Sequence, residues 1–227
     1  MGSIRVIQLL ECEPALAADL TPEEQAIASQ AIPVQVATVK RGPWEPNSTP
    51  PEPGHLGFLV TKGVIVRRIE VGSGSSIELL GPGELLRPWQ EDVSSFCASS
   101  WEVVEPTVLA QLGPRVARSL AQWPILISNL VARTMRRSRA IAGDAAIASI
   151  IGMEERLLRQ LWQLSETFGR VEDDGVHLTI RLPHRLLAEM TAARRPSVTT
   201  ALTNLQAEGK LAKAAEGCWV LVGDPPA

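Results

Sequence analysis

From Val34 to about Leu112 the apolar positions fall into short runs rich in β-branched residues: Val34–Val39, Leu56–Val60, Val64–Ile69, Ile77–Leu80 and Val103–Leu112. Glycine and proline separate them, which is the signature of consecutive strands in an all-β unit. Five prolines between Pro43 and Pro53 forbid a helix or an interior strand there, so that segment reads as an exposed loop. Gly72-Ser73-Gly74-Ser75 reads as a hairpin turn. It lacks the third glycine of a dinucleotide fingerprint and the Lys-Ser/Thr of a phosphate loop, so it cradles no nucleotide.

After Gly113-Pro114 the period lengthens. Val116, Leu120 and Trp123 predict a short helix ending near Pro124, and Ile125 to about Ser149 a long one. Ile127, Leu130, Val131, Met135, Ile141 and Ala145 form its apolar stripe, while Arg133, Arg136, Arg137 and Arg139 lie opposite as a solvated or salt-bridged face. Such a stripe needs a partner. Met153 to Phe168 is a further amphipathic helix that stops at Gly169. Pro183 to Met190 then reads as a short helix, Thr191-Ala192-Ala193 as a tight connection, and Pro196 to Glu208 as a second helix. Pro196 suits the first helical position and Gly209 the cap. Lys210–Ala214, a Glu216-Gly217 turn and Cys218–Val222 complete a hairpin. Helix, turn, helix and hairpin make a winged helix-turn-helix, with Leu187, Met190, Val198, Leu202, Leu205 and Leu211 as its core.

Composition adds exclusions. With 227 residues, 45% hydrophobic and 21% charged, the chain reads as an ordinary globular protein of one or two domains. The three cysteines, Cys12, Cys97 and Cys218, are scattered without a CxxC pair, which suggests a reducing cytoplasm and no thiolate zinc site. Residues 1–10 carry one basic group and lead into Glu11 and Glu13 without a cleavage signal, so they do not read as a secretory leader. The apolar stretch 140–151 is too short to span a bilayer, so no membrane partner is expected. No GxSxG, HExxH, Walker or Rossmann constellation occurs, and His55, His177 and His184 are not at metal spacing, so an enzyme is not expected.

The net charge of −3 is unevenly spread: residues 1–113 sum to −7, whereas residues 176–213 sum to +4. A basic C-terminal part within an acidic chain fits a nucleic-acid-binding module, although a modest excess also fits a merely solvated face.

The segment LLAEMTAARRPSVTTALTNLQAEGKL resembles the helix-turn-helix of the CRP/FNR superfamily of bacterial transcription regulators, and GFLVTKGVIVRRIEVGSGSSIELLGPGELL is similar to its sensor β-roll. The long helix lies where that family places its dimerisation helix. The resemblance implies an α+β fold: an N-terminal antiparallel, jelly-roll-like β-roll (1–124) resembling a cyclic nucleotide-binding domain, a dimerisation helix (125–150) and a C-terminal winged helix-turn-helix (151–227). It implies a cytoplasmic homodimer, paired through Ile127, Leu130, Val131 and Met135, that binds an inverted-repeat operator in double-stranded DNA and works with RNA polymerase. Arg194, Arg195, Pro196, Ser197, Thr199, Thr200, Lys210 and Lys213 are the candidate DNA contacts. The competing reading is a degenerate winged helix used only for protein contacts.

The effector is left open. Cyclic-nucleotide-binding members use a Gly-Glu pair for the ribose and an arginine about a dozen residues later for the phosphate. Gly83-Glu84 is present, but the stretch between Pro88 and Pro106 has no Arg or Lys and instead holds Glu91, Asp92, Glu102 and Glu105. A buried phosphate there would lack a cation. Arg87 is the nearby candidate, so Gly83, Glu84 and Arg87 mark the possible effector contacts and cyclic nucleotide binding is disfavoured. The cysteines cannot supply an iron-sulfur ligand set, His55 reads as a loop residue rather than a haem ligand, and Trp44, Trp89 and Trp101 read as core rather than effector pocket.

Overall fold

The computed structural model describes residues 4–46, 52–89, 96–214 and 217–226. Two compact units emerge, one comprising residues up to 72 and 79–138, the other 73–78 and 139–227. The last change of unit, between residues 138 and 139, falls within the long helix.

β1 (Arg5–Gln8), β2 (Pro33–Val39), β3 (Gly42–Trp44), β4 (Gly57–Val71), β5 (Gly74–Leu80), β6 (Leu85–Leu86) and β7 (Cys97–Leu112) form a seven-stranded sheet, which belongs to the first unit apart from residues 74–78 of β5. Its main path runs β1-β2-β7-β4-β5, with β3 on β7 and β6 on β4; the registered pairs are antiparallel. Strict alternation decides the faces. Val34, Val36, Ala110 and Leu112 point into a core with Leu9, Leu16, Ile32, Leu120, Leu126 and Leu130. A second cluster gathers Val60, Ile65, Leu80, Leu86, Val103 and Leu109.

Two predicted strands are one. Leu56–Val60 and Val64–Ile69 join in β4, whose pairing with β7 shifts register between Val60 and Ile65. Gly63 makes the irregularity possible. It sits at φ +86°, and a Cβ there would come within 2.4 Å of the Pro106 carbonyl oxygen. The proline-rich segment is also partly ordered into strand: Pro43 lies opposite Glu102, and Trp44 opposite Trp101. Among the strands of this sheet β3 pairs with β7, a marginal position that tolerates the missing proline N–H. Residues 47–51, Glu91, Asp92 and Glu216 lie outside the described residues. The hairpin at Gly72-Ser73 links β4 to β5 as expected.

The N-terminal helices were not anticipated. Helix α1 (Leu9–Cys12) buries Leu9 and Leu10. Helix α2 (Pro22–Ala31) starts with a capping box in which the Glu24 amide donates to Thr21 Oγ1 and the Thr21 amide donates to the Glu24 carboxylate. Helix α3 (Pro114–Leu120) follows the predicted position.

Helix α4 (Pro124–Ala148) has the predicted extent, but its stripe divides. Leu126 and Leu130 are buried in the first unit's core, Leu130 at 6% exposure. Leu130 is therefore a core residue of the first unit and not the solvent-facing stripe residue that was expected. Ile127, Val131, Met135 and Ile141 remain 38%, 51%, 54% and 48% exposed.

In the second unit, Asp144 near the end of α4 accepts hydrogen bonds from Gln160 and Gln163 of α5 (Met153–Phe168). Burial pushes the Asp144 carboxyl above the usual range, while the Gln160 hydrogen bond draws it down and Glu78 adds to the rise. A hairpin not foreseen from sequence follows, β8 (Gly169–Glu172) and β9 (Gly175–Leu178). With β10 (Leu211–Lys213) and β11 (Trp219–Leu221) it makes a sheet ordered β10-β11-β9-β8. Helices α6 (His184–Met190) and α7 (Arg195–Ala207) pack over Leu157, Leu161, Leu187, Val198, Leu202, Leu205 and Leu211, all buried; Met190 is only half-buried. No helix among the described residues is long and apolar enough to cross a membrane.

Candidate nucleic-acid interface and effector turn

The connection between α6 and α7 is held from several sides. Thr191 is fully buried, and its hydroxyl donates to the Leu187 carbonyl. Ala192 adopts φ +48°, the single non-glycine residue with positive φ among those described. Arg156 of α5 donates from Nη1 to the Thr191 carbonyl (2.8 Å) and from Nε to the Ile150 carbonyl (2.7 Å), bridging the turn to the start of its own helix. Asn204 of α7 donates to Glu154 (2.9 Å). These ties fix α7 against α5 and turn its outer face toward solvent.

That face carries the predicted residues. Arg194 is the extended residue before α7, Arg195 begins the helix and Pro196 follows, one position later than expected. Arg194, Arg195, Pro196, Ser197, Thr199 and Thr200 are all exposed, while Val198 is buried between them. Three hydroxyls are turned back on the helix: Thr199 donates to the Arg195 carbonyl, Thr200 to Pro196 and Thr203 to Thr199, at 3.0–3.2 Å. A hydroxyl has one proton, so these threonines offer outward a methyl group and an acceptor.

His184, at the start of α6, is placed at the same spot. Its Nδ1 lies 3.0 Å from Thr199 Oγ1, and since that oxygen donates to Arg195, the histidine is the donor. Burial lowers the His184 pKa below its ordinary value, and the charges of Arg195 and Lys213 lower it further. The link of His184 to α7 depends on a pairing fifteen positions away, which no local pattern signals. Lys213 sets its ammonium 5.7 Å from the Trp219 ring, and Lys210 pairs with Glu208 at 2.8 Å. Both are exposed.

The Gly83-Glu84 turn is closed by cations of its own unit. Gly83 (φ +86°) has its amide on the Val60 carbonyl, and Glu84 returns a carbonyl to the Val60 amide. From α4, Arg133 reaches Glu13 at 3.0 Å and the Gly83 carbonyl at 3.5 Å. Arg137 donates to the Leu85 carbonyl at 2.8 Å and pairs with Glu84 at 3.8 Å. The arginine face of the long helix is thus partly a docked, ion-paired surface. Arg87 points elsewhere: its guanidinium lies 5.7 Å from the Trp89 ring.

His55 is a loop residue and a buried one. Its Nδ1 accepts from the Gly57 amide, its Nε2 meets Gln111, and its ring packs edge-on against Phe58 and Trp89. Burial, then the Arg87 charge, lowers its pKa. Trp44 and Trp101 meet edge to face at 5.8 Å beside the second core cluster. Trp44 also lines an open groove of about 790 Å³ with Val39, Phe58, Leu109 and Gln111.

Comparison with known proteins agrees with this geometry. The family model described as a Crp-like helix-turn-helix domain matches residues 155–227. A CRP-like cAMP-activated global transcriptional regulator from Mycobacterium tuberculosis is 24% identical over 179 residues, covering 76% of this chain and 78% of that one. Among solved structures, a mutant of CooA from Carboxydothermus hydrogenoformans aligns with TM-score 0.61 at 17% identity over 83% of each chain. FixK2 from Bradyrhizobium japonicum aligns with TM-score 0.60 at 16% identity, covering 83% of this chain and 92% of that one. A cyclic nucleotide-binding domain containing protein from Listeria monocytogenes aligns with TM-score 0.63 at 16% identity over 92% and 96%. At such identities the structural likenesses speak for the fold. Residues 155–227 thus match a Crp-like helix-turn-helix domain, which follows an antiparallel sheet and a long helix in a fold shared with these solved structures.

Proposed function

We propose that this protein is a DNA-binding transcription regulator that acts as a homodimer on an inverted-repeat operator. The observation that carries the reading is the exposed first turn of α7, where Arg194, Arg195 and Ser197 stand free of the core and Arg195 shares its neighbourhood with His184 and Lys213. A recognition helix presents such residues to base edges in the major groove. Arg195 reads guanine through O6 and N7, and Arg194, Lys210 and Lys213 hold phosphates. Thr199, tied to both Arg195 and His184, positions its neighbours; Ser197 is the free hydroxyl.

The exposed stripe Ile127, Val131, Met135 supports dimerisation through α4. Over about 25 residues a helix runs some 37 Å, and a two-fold pairing covers the same face on both copies. Two recognition helices then meet half-sites about one helical turn apart. RNA polymerase is the expected protein partner, and no catalytic role is assigned.

Regarding the effector, the Mycobacterium tuberculosis relative is described as cAMP-activated. Here Arg133 and Arg137 already engage Glu13, Gly83 and Glu84, which supports a β-roll that does not use a cyclic nucleotide. Sequencing of genomic DNA recovered with the protein tests the whole reading. Enrichment of discrete sites sharing a palindromic motif supports it; recovery no better than with a non-binding control favours the protein-contact module instead.

A further inference from the structure

We infer that α7 reads A·T base pairs through a lane of apolar groups formed by Pro196, Thr200 and Thr203, an inference that rests on the DNA-binding role proposed above. The three residues stand at i, i+4 and i+7, which places them on one side of a helix. All three are exposed. Pro196 carries only ring methylenes. Thr200 donates its hydroxyl proton to the Pro196 carbonyl at 3.2 Å, and Thr203 donates its own to the Thr199 carbonyl at 3.0 Å. With the proton engaged, neither hydroxyl can donate to a phosphate or to a guanine or thymine oxygen.

What remains to meet the groove is a methyl group and an acceptor lone pair on each threonine. In the major groove one base pair matches both at once. Thymine offers the C5-methyl and adenine the N6–H₂ donor, whereas a G·C pair has no methyl and sets two guanine acceptors beside the cytosine donor. The lane has little else to read with. Asn204, the exposed amide beside it, donates to Glu154. Arg195 alone among the first two turns supplies a cationic fork, so the half-site combines one guanine with a flanking run of A·T pairs. At 1.5 Å per residue the lane extends roughly 10 Å, about three base-pair steps.

The test uses the full-length protein and a duplex it selects from a random pool. Thymines in the half-site are replaced one at a time by deoxyuridine, which removes only the C5-methyl, and affinity is measured. Wild type should lose about fourfold at each contacted thymine, the value of burying one methylene-sized group. Thr200→Val keeps the methyl and should retain that sensitivity; Thr200→Ser keeps the hydroxyl and should lose it at one step. Uracil duplexes that bind as tightly as the thymine duplex overturn the lane, as does a Thr200→Ser protein as sensitive as wild type. A pool that returns no preferred sequence fails differently: it overturns the DNA-reading role on which the lane depends.

Discussion

Replacing Arg156 with leucine should unfasten the helix-turn-helix from the helix that carries it. The Arg156 fork makes two hydrogen bonds to main-chain oxygens, 2.7 Å to Ile150 and 2.8 Å to Thr191, one at the entrance to α5 and one in the turn before α7. Charge-assisted bonds of this kind contribute about 1.5–3 kcal/mol each, and a buried carbonyl left without a donor costs about 1–3 kcal/mol. Thr191 is fully buried, so its carbonyl has no ready access to water; Ile150 is only half-buried, and its oxygen can be resolvated. Leucine keeps much of the apolar stem's packing. The net loss is therefore about 3 kcal/mol, which for a unit of this size lowers the melting temperature by roughly 12–24 °C. Urea and thermal unfolding of the full chain, followed by circular dichroism, measure it. Arg156→Lys should recover less than half, because an ammonium on a flexible stem does not span two carbonyls as a planar fork does. An Arg156→Leu protein within about 0.5 kcal/mol of wild type, the range of an ordinary surface change, would refute the reasoning.

Other consequences can be measured on the same material. Ala192 pays the left-handed penalty of a residue with a Cβ, so Ala192→Gly should stabilise the second unit by about 1 kcal/mol, read as a raised melting temperature; a lowered one would contradict the αL assignment. Val131→Asp with Met135→Asp, both on the exposed side of α4, should give a folded monomer by sedimentation with weakened DNA binding, whereas Leu130→Asp should unfold the first unit instead. His184 has a lowered pKa from burial and from Arg195 and Lys213, so its neutral form is favoured in the free protein. Its contribution to stability is present above about pH 6.5 and fades as pH falls through the lower folded value. A phosphate at its Nε2 would favour the charged form, so DNA affinity should rise from pH 8 to pH 6 in wild type and flatten in His184→Gln; identical pH profiles would remove His184 from the interface.

The readable part of the fold was the part whose residues face two ways. Alternation in β2 and β7 and the stripes of α4 and α5 reveal themselves because one side of each element is buried. The hairpin β8–β9 was missed because its first strand is exposed throughout, so no alternation marks it. Gly63 made one bent strand look like two, and Pro43 hid a strand that lies where a proline is tolerated. Leu130 was assigned to the wrong surface for a different reason. Leu130 and Val131 are neighbours around the helix, and a stripe wide enough to hold both does not say which flank packs into the first unit's core. The candidate interface was legible as residues and illegible as chemistry. Arg194 to Thr200 were identifiable, yet the inward hydroxyls of Thr199 and Thr200, the His184–Thr199 pair and the Arg156 bridge depend on partners that sequence spacing does not reveal. Likewise Arg133 meets Glu13 from 120 positions away.

The central claim is that α7 reads DNA from its first turn, with Arg195 at a guanine. Selection of sites from random duplexes by wild type and by Arg195→Ala tests it most directly. Wild type should return an inverted repeat with half-sites about one helical turn apart. Arg195→Ala should bind the same repeat with about 1–3 kcal/mol less discrimination at one guanine and an otherwise unchanged pattern. No inverted repeat, or a base preference that survives Arg195→Ala and changes with Lys213→Ala, would contradict the account.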